Sequence, residues 1–164
     1  MIDATCPHVA QIHQLVRQYS EHGDAVVIVG EADHPEVVGI AGWARGRVFI
    51  LPDAQAAEQA ELPKKALVVA QTTIRRDRFD SVLQVLRRRV PDLTQRITIC
   101  AATSQRQQEA EKLSGEADVM VVVGGRNSSN TQKLLETCRL RCERSVLVET
   151  PEDVPPDLAE ADDR

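Results

Sequence analysis

At 164 residues, 42% of them hydrophobic and 27% charged, the chain has the makeup of one ordinary globular domain or two small ones. A formal charge of -5 argues against a nucleic-acid partner, because phosphate backbones are held by basic surfaces. No apolar run approaches the roughly 20 residues that span a bilayer, so no membrane partner is expected either.

With one Trp, one Tyr and two Phe, the core must be built from Val, Ile, Leu and Ala. The start lacks the basic-then-apolar order of a signal peptide, which predicts a cytoplasmic protein. In that compartment the four cysteines are expected as thiols or metal ligands rather than disulfides.

In chain order, Thr5-Cys6-Pro7 precedes a helix predicted over residues 7–22. A thiol there sits beside free backbone N–H groups, which favour the thiolate and suit a nucleophile or an iron ligand. Of the histidines on that helix, His8, His13 and His22, none is assigned a role. The run Ala25 to Gly30 reads as a strand, followed by His34-Pro35-Glu36 and a short helix over 35–41. Histidine there can donate to a phosphate, and Glu36 is a candidate general acid.

Strands are predicted at Arg47–Leu51 and Ala66–Ala70, with a short helix over 53–60 between them. Gln71-Thr72-Thr73 then opens a helix over 75–90, where Thr72 or Thr73 is expected to cap. Arg87, Arg88 and Arg89 lie late in that helix and complement its dipole. After Val90-Pro91-Asp92 a weaker strand is expected to end at Cys100, again just before a helix, here 104–115.

The apolar strand Val119–Val123 leads into Gly124-Gly125-Arg126-Asn127-Ser128-Ser129-Asn130 and a helix over 128–141. Glycines let a backbone approach an anion, and hydroxyl and amide donors at a helix start add to it, so this loop suits a phosphate or diphosphate. It lacks the Gly-Lys-Ser/Thr signature of a Walker loop. Cys138 and Cys142, spaced i and i+4, have nothing nearby to complete a metal site and read as incidental. A strand at Ser145–Glu149 and a Pro-rich, acidic, disordered-looking tail follow.

Strand and helix alternate, and three of the strands are nearly continuous apolar runs, which predicts an α/β fold with parallel sheets. Two units are expected, residues 1–95 and 96–164, the second unfinished. Both ends look cut.

Five motifs occur in one order: Asp3-Ala-Thr-Cys-Pro7, His34-Pro-Glu-Val37, Gln71-Thr-Thr73, the stretch Ile99-Cys-Ala-Ala-Thr-Ser104 with Arg106-Gln107, and Val121 to Asn130. Together they resemble the 4-hydroxy-3-methylbut-2-enyl diphosphate reductase family over nearly the whole chain, from Ile2 to about Thr150. The resemblance implies two of the family's three small parallel-sheet α/β modules, set around a [4Fe-4S] cluster that takes one Cys from each third of the chain. Cys6 and Cys100 would be two of those ligands. His34, Ser128, Ser129 and Asn130 would hold the substrate diphosphate, with Glu36 as proton donor and Thr72 beside it in the network around the substrate hydroxyl.

The implied reaction is reductive dehydroxylation of the substrate to isopentenyl and dimethylallyl diphosphates. Electrons would come from an external donor such as ferredoxin or flavodoxin. Relative to the family, the first module with its Cys and two phosphate-binding histidines is missing, and so is the end of the last, with a further Ser. Ala101 stands where the family often has an aromatic residue. The chain alone is therefore expected to be inactive, or active only with a complementary fragment. Two other classes stay open: a non-catalytic diphosphate-binding module without a cluster, and a two-thiolate zinc or redox domain using Cys6 and Cys100.

Overall fold

The apolar β-branched runs become strands and the polar stretches between them become helices. A computed structural model describes residues 5–159. It contains α1 (Pro7–Glu21), β1 (Ala25–Val29), α2 (Pro35–Trp43), β2 (Val48–Leu51), α3 (Ala54–Gln59), β3 (Lys65–Ala70) and α4 (Arg76–Arg89). These are followed by β4 (Asp92–Gln95), α5 (Ala101–Ser114), β5 (Met120–Val123), α6 (Ser129–Arg139), β6 (Ser145–Val148), a 3-10 turn (Pro151–Asp153) and α7 (Pro156–Ala159). The contacts divide the chain into two units on either side of the Cys100–Ala101 bond.

In the first unit four parallel strands lie in the order β2-β1-β3-β4. Successive side chains of a strand point to opposite faces, so each central strand must be apolar at every position if helices cover both sides. Val26, Ile28, Leu67 and Val69 meet Ile12 and Val16 of α1 and Val37 and Ile40 of α2. On the other face Val27, Val29, Val68 and Ala70 meet Ala57 of α3 and Phe79, Val82 and Leu86 of α4. Each fully buried Val, Leu, Ile or Phe of this set contributes about 1.5–3 kcal/mol. The α/β class and the parallel sheet are as expected.

The strand expected to end at Cys100 lies earlier. β4 pairs Lys65 with Asp92 through Val68 with Gln95 and stops there. Beyond it, Thr98 Oγ1 accepts from Ala70 N at 2.7 Å and donates to Ala70 O at 2.6 Å. A side chain thus takes the bonds that a longer ladder would have made, and the backbone turns away.

The arginine run at the end of α4 serves its neighbours. Arg89 donates to the carbonyls of Ala57, Glu58 and Ala60 at 2.5, 2.6 and 2.9 Å, satisfying the end of α3. Arg88 pairs with Glu58, and Arg87 donates to Gln95 at 2.7 Å.

In the second unit β5 and β6 pair in parallel. Val122, Leu135 and Cys138 are buried together, with Leu134 and Leu147 packed against them. The Pro-rich stretch is more ordered than its composition predicts, because Asp153 folds back to accept from Glu149 N and Thr150 N at 2.9 and 3.0 Å. The acidic end, Glu160 to Arg164, lies outside the described residues. Among the described residues, no helix is long and apolar enough to cross a membrane.

Candidate functional site

In the first sheet the chain leaves β1 toward β2 on one side and leaves β3 toward β4 on the other. The order reverses between β1 and β3, and the carboxyl ends of those two strands are the switch point at which α/β proteins bind ligands. The segments that follow β1 and β3 carry the motifs singled out in the sequence.

After β1 the chain reaches His34, which caps α2: its Nδ1 accepts from Glu36 N at 3.1 Å. Because Nδ1 accepts, the ring proton is on Nε2, which is left as a donor. Glu36, in the first turn of α2, reaches across to Thr72, the second residue after β3. Thr72 N donates to its Oε1 at 2.6 Å and Thr72 Oγ1 donates to its Oε2 at 2.7 Å. Both carboxylate oxygens are therefore held by one residue on the neighbouring strand end. The expectation that Thr72 or Thr73 caps the next helix is corrected here. Arg75 occupies the N-cap of α4 and makes no side-chain cap bond, while the carboxylate takes the Thr72 donors.

Gln71 braces the same two strand ends. It is 1% exposed, its Oε1 accepts from Glu31 N at 3.1 Å, and its Nε2 donates to Thr73 Oγ1 at 3.0 Å. Gly30 makes room for it: a Cβ there would stand 2.8 Å from Gln71 Oε1 and 2.8 Å from Val37 Cγ2. The loop bearing His34 and Glu36 is thus tied to the β3 end twice, once through Gln71 and once through Thr72.

The two candidate thiols belong to this unit. Cys100 N donates to Thr72 O at 3.0 Å, which fixes the Cys100 backbone against the Glu36–Thr72 pair. Cys6 is exposed and stands at the N-cap of α1 without a side-chain cap bond. Its turn is linked to the Cys100 segment by His8, whose Nε2 donates to Thr98 O at 2.9 Å. Sequence reasoning gave His8 no role, and a bond between residues 90 positions apart leaves no local signal.

In the second unit Ser128 caps α6, its Oγ accepting from Thr131 N at 3.4 Å. Ser128, Ser129 and Asn130 lie together at that helix start and are half-buried. Asn130 Oδ1 is shielded from solvent and has no hydrogen-bond partner. Gly124 lets β5 run close over the helix, since a Cβ there would be 2.5 Å from Thr131 Oγ1. Arg126 turns to Asp153 and Glu149. The α6 start thus carries two hydroxyls, those of Ser128 and Ser129, at a helix N-terminus, the kind of end that favours anions.

No disulfide joins the cysteines. Cys138 and Cys142 are both buried, and burial, with Cys142 alongside, pushes the Cys138 thiol up. Among the described residues, no group of three or more His, Cys, Asp or Glu is placed to hold a metal ion. The thiols of Cys6 and Cys100 suit iron–sulfur ligation in kind and fall short of it in number.

A sequence profile described as LytB protein matches residues 1–164. A 4-hydroxy-3-methylbut-2-enyl diphosphate reductase from Caldanaerobacter subterraneus subsp. tengcongensis is 38% identical over 154 residues, covering 94% of this chain and 54% of the relative. One from Clostridium acetobutylicum is 39% identical over 158 residues, 96% of this chain and 25% of the relative. The solved E-1-hydroxy-2-methyl-but-2-enyl-4-diphosphate reductase from Plasmodium falciparum superposes with a TM-score of 0.90 at 29% identity, over 98% of this chain and 52% of that one. The chain thus spans about half the length, or less, of these similar proteins.

Proposed function

The chain belongs to the LytB protein family, and from that premise we propose that it is a part of a 4-hydroxy-3-methylbut-2-enyl diphosphate reductase. In this reading it supplies the proton donor and a share of the diphosphate contacts. The observation that carries the reading is the Glu36–Thr72 pair, with both carboxylate oxygens held at 2.6 and 2.7 Å at the carboxyl ends of β1 and β3.

Reductive dehydroxylation replaces C–OH by C–H at the expense of two electrons and two protons, with water leaving. Hydroxide is a poor leaving group, so a proton must reach its oxygen as the bond breaks. Glu36 is the acid in this scheme. The Thr72 hydroxyl donates to the carboxylate and, being both donor and acceptor, can accept when Glu36 carries the proton. It thereby holds one geometry through both protonation states. His34, with its free Nε2–H, and Ser128, Ser129 and Asn130 at the α6 start serve the diphosphate oxygens.

Cys6 and Cys100 are two ligands of a [4Fe-4S] group in this proposal. The described residues do not complete that donor set, so the remaining ligand would come from outside them. An external ferredoxin or flavodoxin is the proposed electron source and the cytoplasm the proposed location. The shortfall in metal donors also favours a second reading, in which this chain by itself binds diphosphate and does no chemistry.

The test is anaerobic iron–sulfide reconstitution of the chain, alone and mixed with a first-module polypeptide. Iron, acid-labile sulfide and turnover of 4-hydroxy-3-methylbut-2-enyl diphosphate are then measured. A stable cluster and turnover only in the mixture are expected; Glu36→Ala should keep the cluster and lose turnover, and Cys100→Ser should lose both. Diphosphate binding with no cluster under either condition leaves the second reading.

A further inference from the structure

We propose that His8 is a positioning residue that clasps the Cys6 turn to the Cys100 turn and so sets the separation at which the two thiols meet one ligand. This rests on the reading that Cys6 and Cys100 serve a common site.

The Cys100 side of the clasp is rigid. Thr98 Oγ1 exchanges two bonds with the backbone of Ala70, Ile99 is buried in the core, and Cys100 N donates to Thr72 O. Residues 98–100 are thus pinned to the end of β3. The Cys6 side is held much less. Cys6 and Pro7 are exposed, the N-cap makes no side-chain bond, and the first fully buried side chain of α1 is Ile12, more than a turn further along.

Between the two lies His8, whose Nε2 reaches Thr98 O at 2.9 Å. A carbonyl only accepts, so the ring donates from Nε2 whether or not Nδ1 is protonated. The bond joins a residue two positions after Cys6 to one two positions before Cys100. Without it the first turn of α1 is free to fray, as helix ends do when their outer groups lack partners. Two thiols then close on a ligand at an entropic disadvantage.

Cadmium is the probe, because two thiolates on one Cd2+ give an ultraviolet charge-transfer band that needs neither iron nor turnover. The 164-residue chain is titrated as wild type, His8→Ala, His8→Gln, Cys6→Ser and Cys100→Ser. Trp43 emission reports the fold of the first unit. We expect tight two-thiolate binding that Cys6→Ser and Cys100→Ser each abolish, a roughly tenfold loss in His8→Ala, and recovery to within about threefold in His8→Gln, whose amide can donate to the same carbonyl. Backbone exchange at Ala10, whose N–H donates to Cys6 O in the first turn of α1, is expected to quicken in His8→Ala and return in His8→Gln.

Cadmium affinity that needs both thiols and not His8 overturns the proposal alone. Cadmium bound without dependence on Cys6 or Cys100 refutes the shared-ligand reading and the proposal with it. Failure of His8→Gln to recover binding also overturns it, since that means the imidazole acts as a ligand and not as a clasp. Should His8→Ala lose its fold, the Gln variant decides on its own.

Discussion

Replacing Thr72 by Val keeps the shape of the side chain and removes one donor from Glu36. The bond from Thr72 N to Oε1 at 2.6 Å remains, and Oε2 loses its 2.7 Å partner in a site where Thr72 is 7% exposed. A hydrogen bond to a charged group contributes about 1.5–3 kcal/mol, and the half-buried Glu36, deprived of this donor, forfeits about that amount. In a domain of about a hundred residues each kcal/mol moves Tm by roughly 4 °C or a little more, so the first unit should melt at least about 6 °C lower. Glu36→Gln is expected to cost less than half as much. The amide oxygen still accepts from Thr72 N, and the Thr72 hydroxyl can rotate to accept from the amide nitrogen. Scanning calorimetry of wild type, both single variants and the double variant gives the coupling, expected at about 1 kcal/mol or more. A Thr72→Val protein melting within 2 °C of wild type (about 0.5 kcal/mol) would show that the pair is not a structural unit and would remove the main support for Glu36 as a poised acid.

Four further outcomes follow from the same geometry. Gly30→Ala should cost about 1–3 kcal/mol in urea unfolding, because its Cβ would meet Gln71 Oε1 and Val37 Cγ2 at 2.8 Å each. Gly124→Ala should weaken binding of inorganic pyrophosphate in calorimetric titration, with Thr131→Ala restoring it by removing the Oγ1 that the new Cβ would meet at 2.5 Å. Asp153 is held below the usual carboxylate range by the Glu149 and Thr150 N–H groups, with Arg126 adding to it. Its stabilising effect is therefore present above the unfolded value and lost as pH falls through the folded one, so Asp153→Asn should flatten the acid limb of the stability profile. Cys138 is pushed up by burial, so the unfolded chain ionises first. Stability should fall as pH rises from about 8.5, and that slope should be absent in Cys138→Ala.

The fold was legible wherever a strand is buried on both faces. The runs at Ala25–Val29 and Ala66–Ala70 are fully apolar because α1 and α2 cover one side and α3 and α4 the other, and such runs leave no second interpretation once polar helical stretches separate them. The strand before Cys100 was misplaced for the converse reason. Asp92-Leu-Thr-Gln95 is an edge strand of mostly polar residues, while Ile97-Thr-Ile99 looks more strand-like by composition. What ends the ladder is the Thr98 hydroxyl bonding to Ala70, a contact across 28 positions that no local pattern encodes.

The candidate site divides along the same line. Residues chosen by type and position, His34, Glu36 and Thr72, do meet at the sheet edge, because in a parallel sheet every strand delivers its following loop to the same end. Their partnership was implied by the family resemblance alone: by local chemistry Thr72 after β3 and a helix start nearby predict a cap, and it is the adjacency of β1 and β3 that lets the carboxylate of α2 take the Thr72 donors. The adjacency also bears on the acid role proposed for Glu36. Glu36 stands on a helix start and Thr72 on a strand end, joined by two bonds and backed by Gln71 and Gly30. Neither residue depends on a long loop for its place. A carboxyl so held presents one orientation at the ends of β1 and β3, so the acid role proposed for Glu36 requires a substrate hydroxyl at that place.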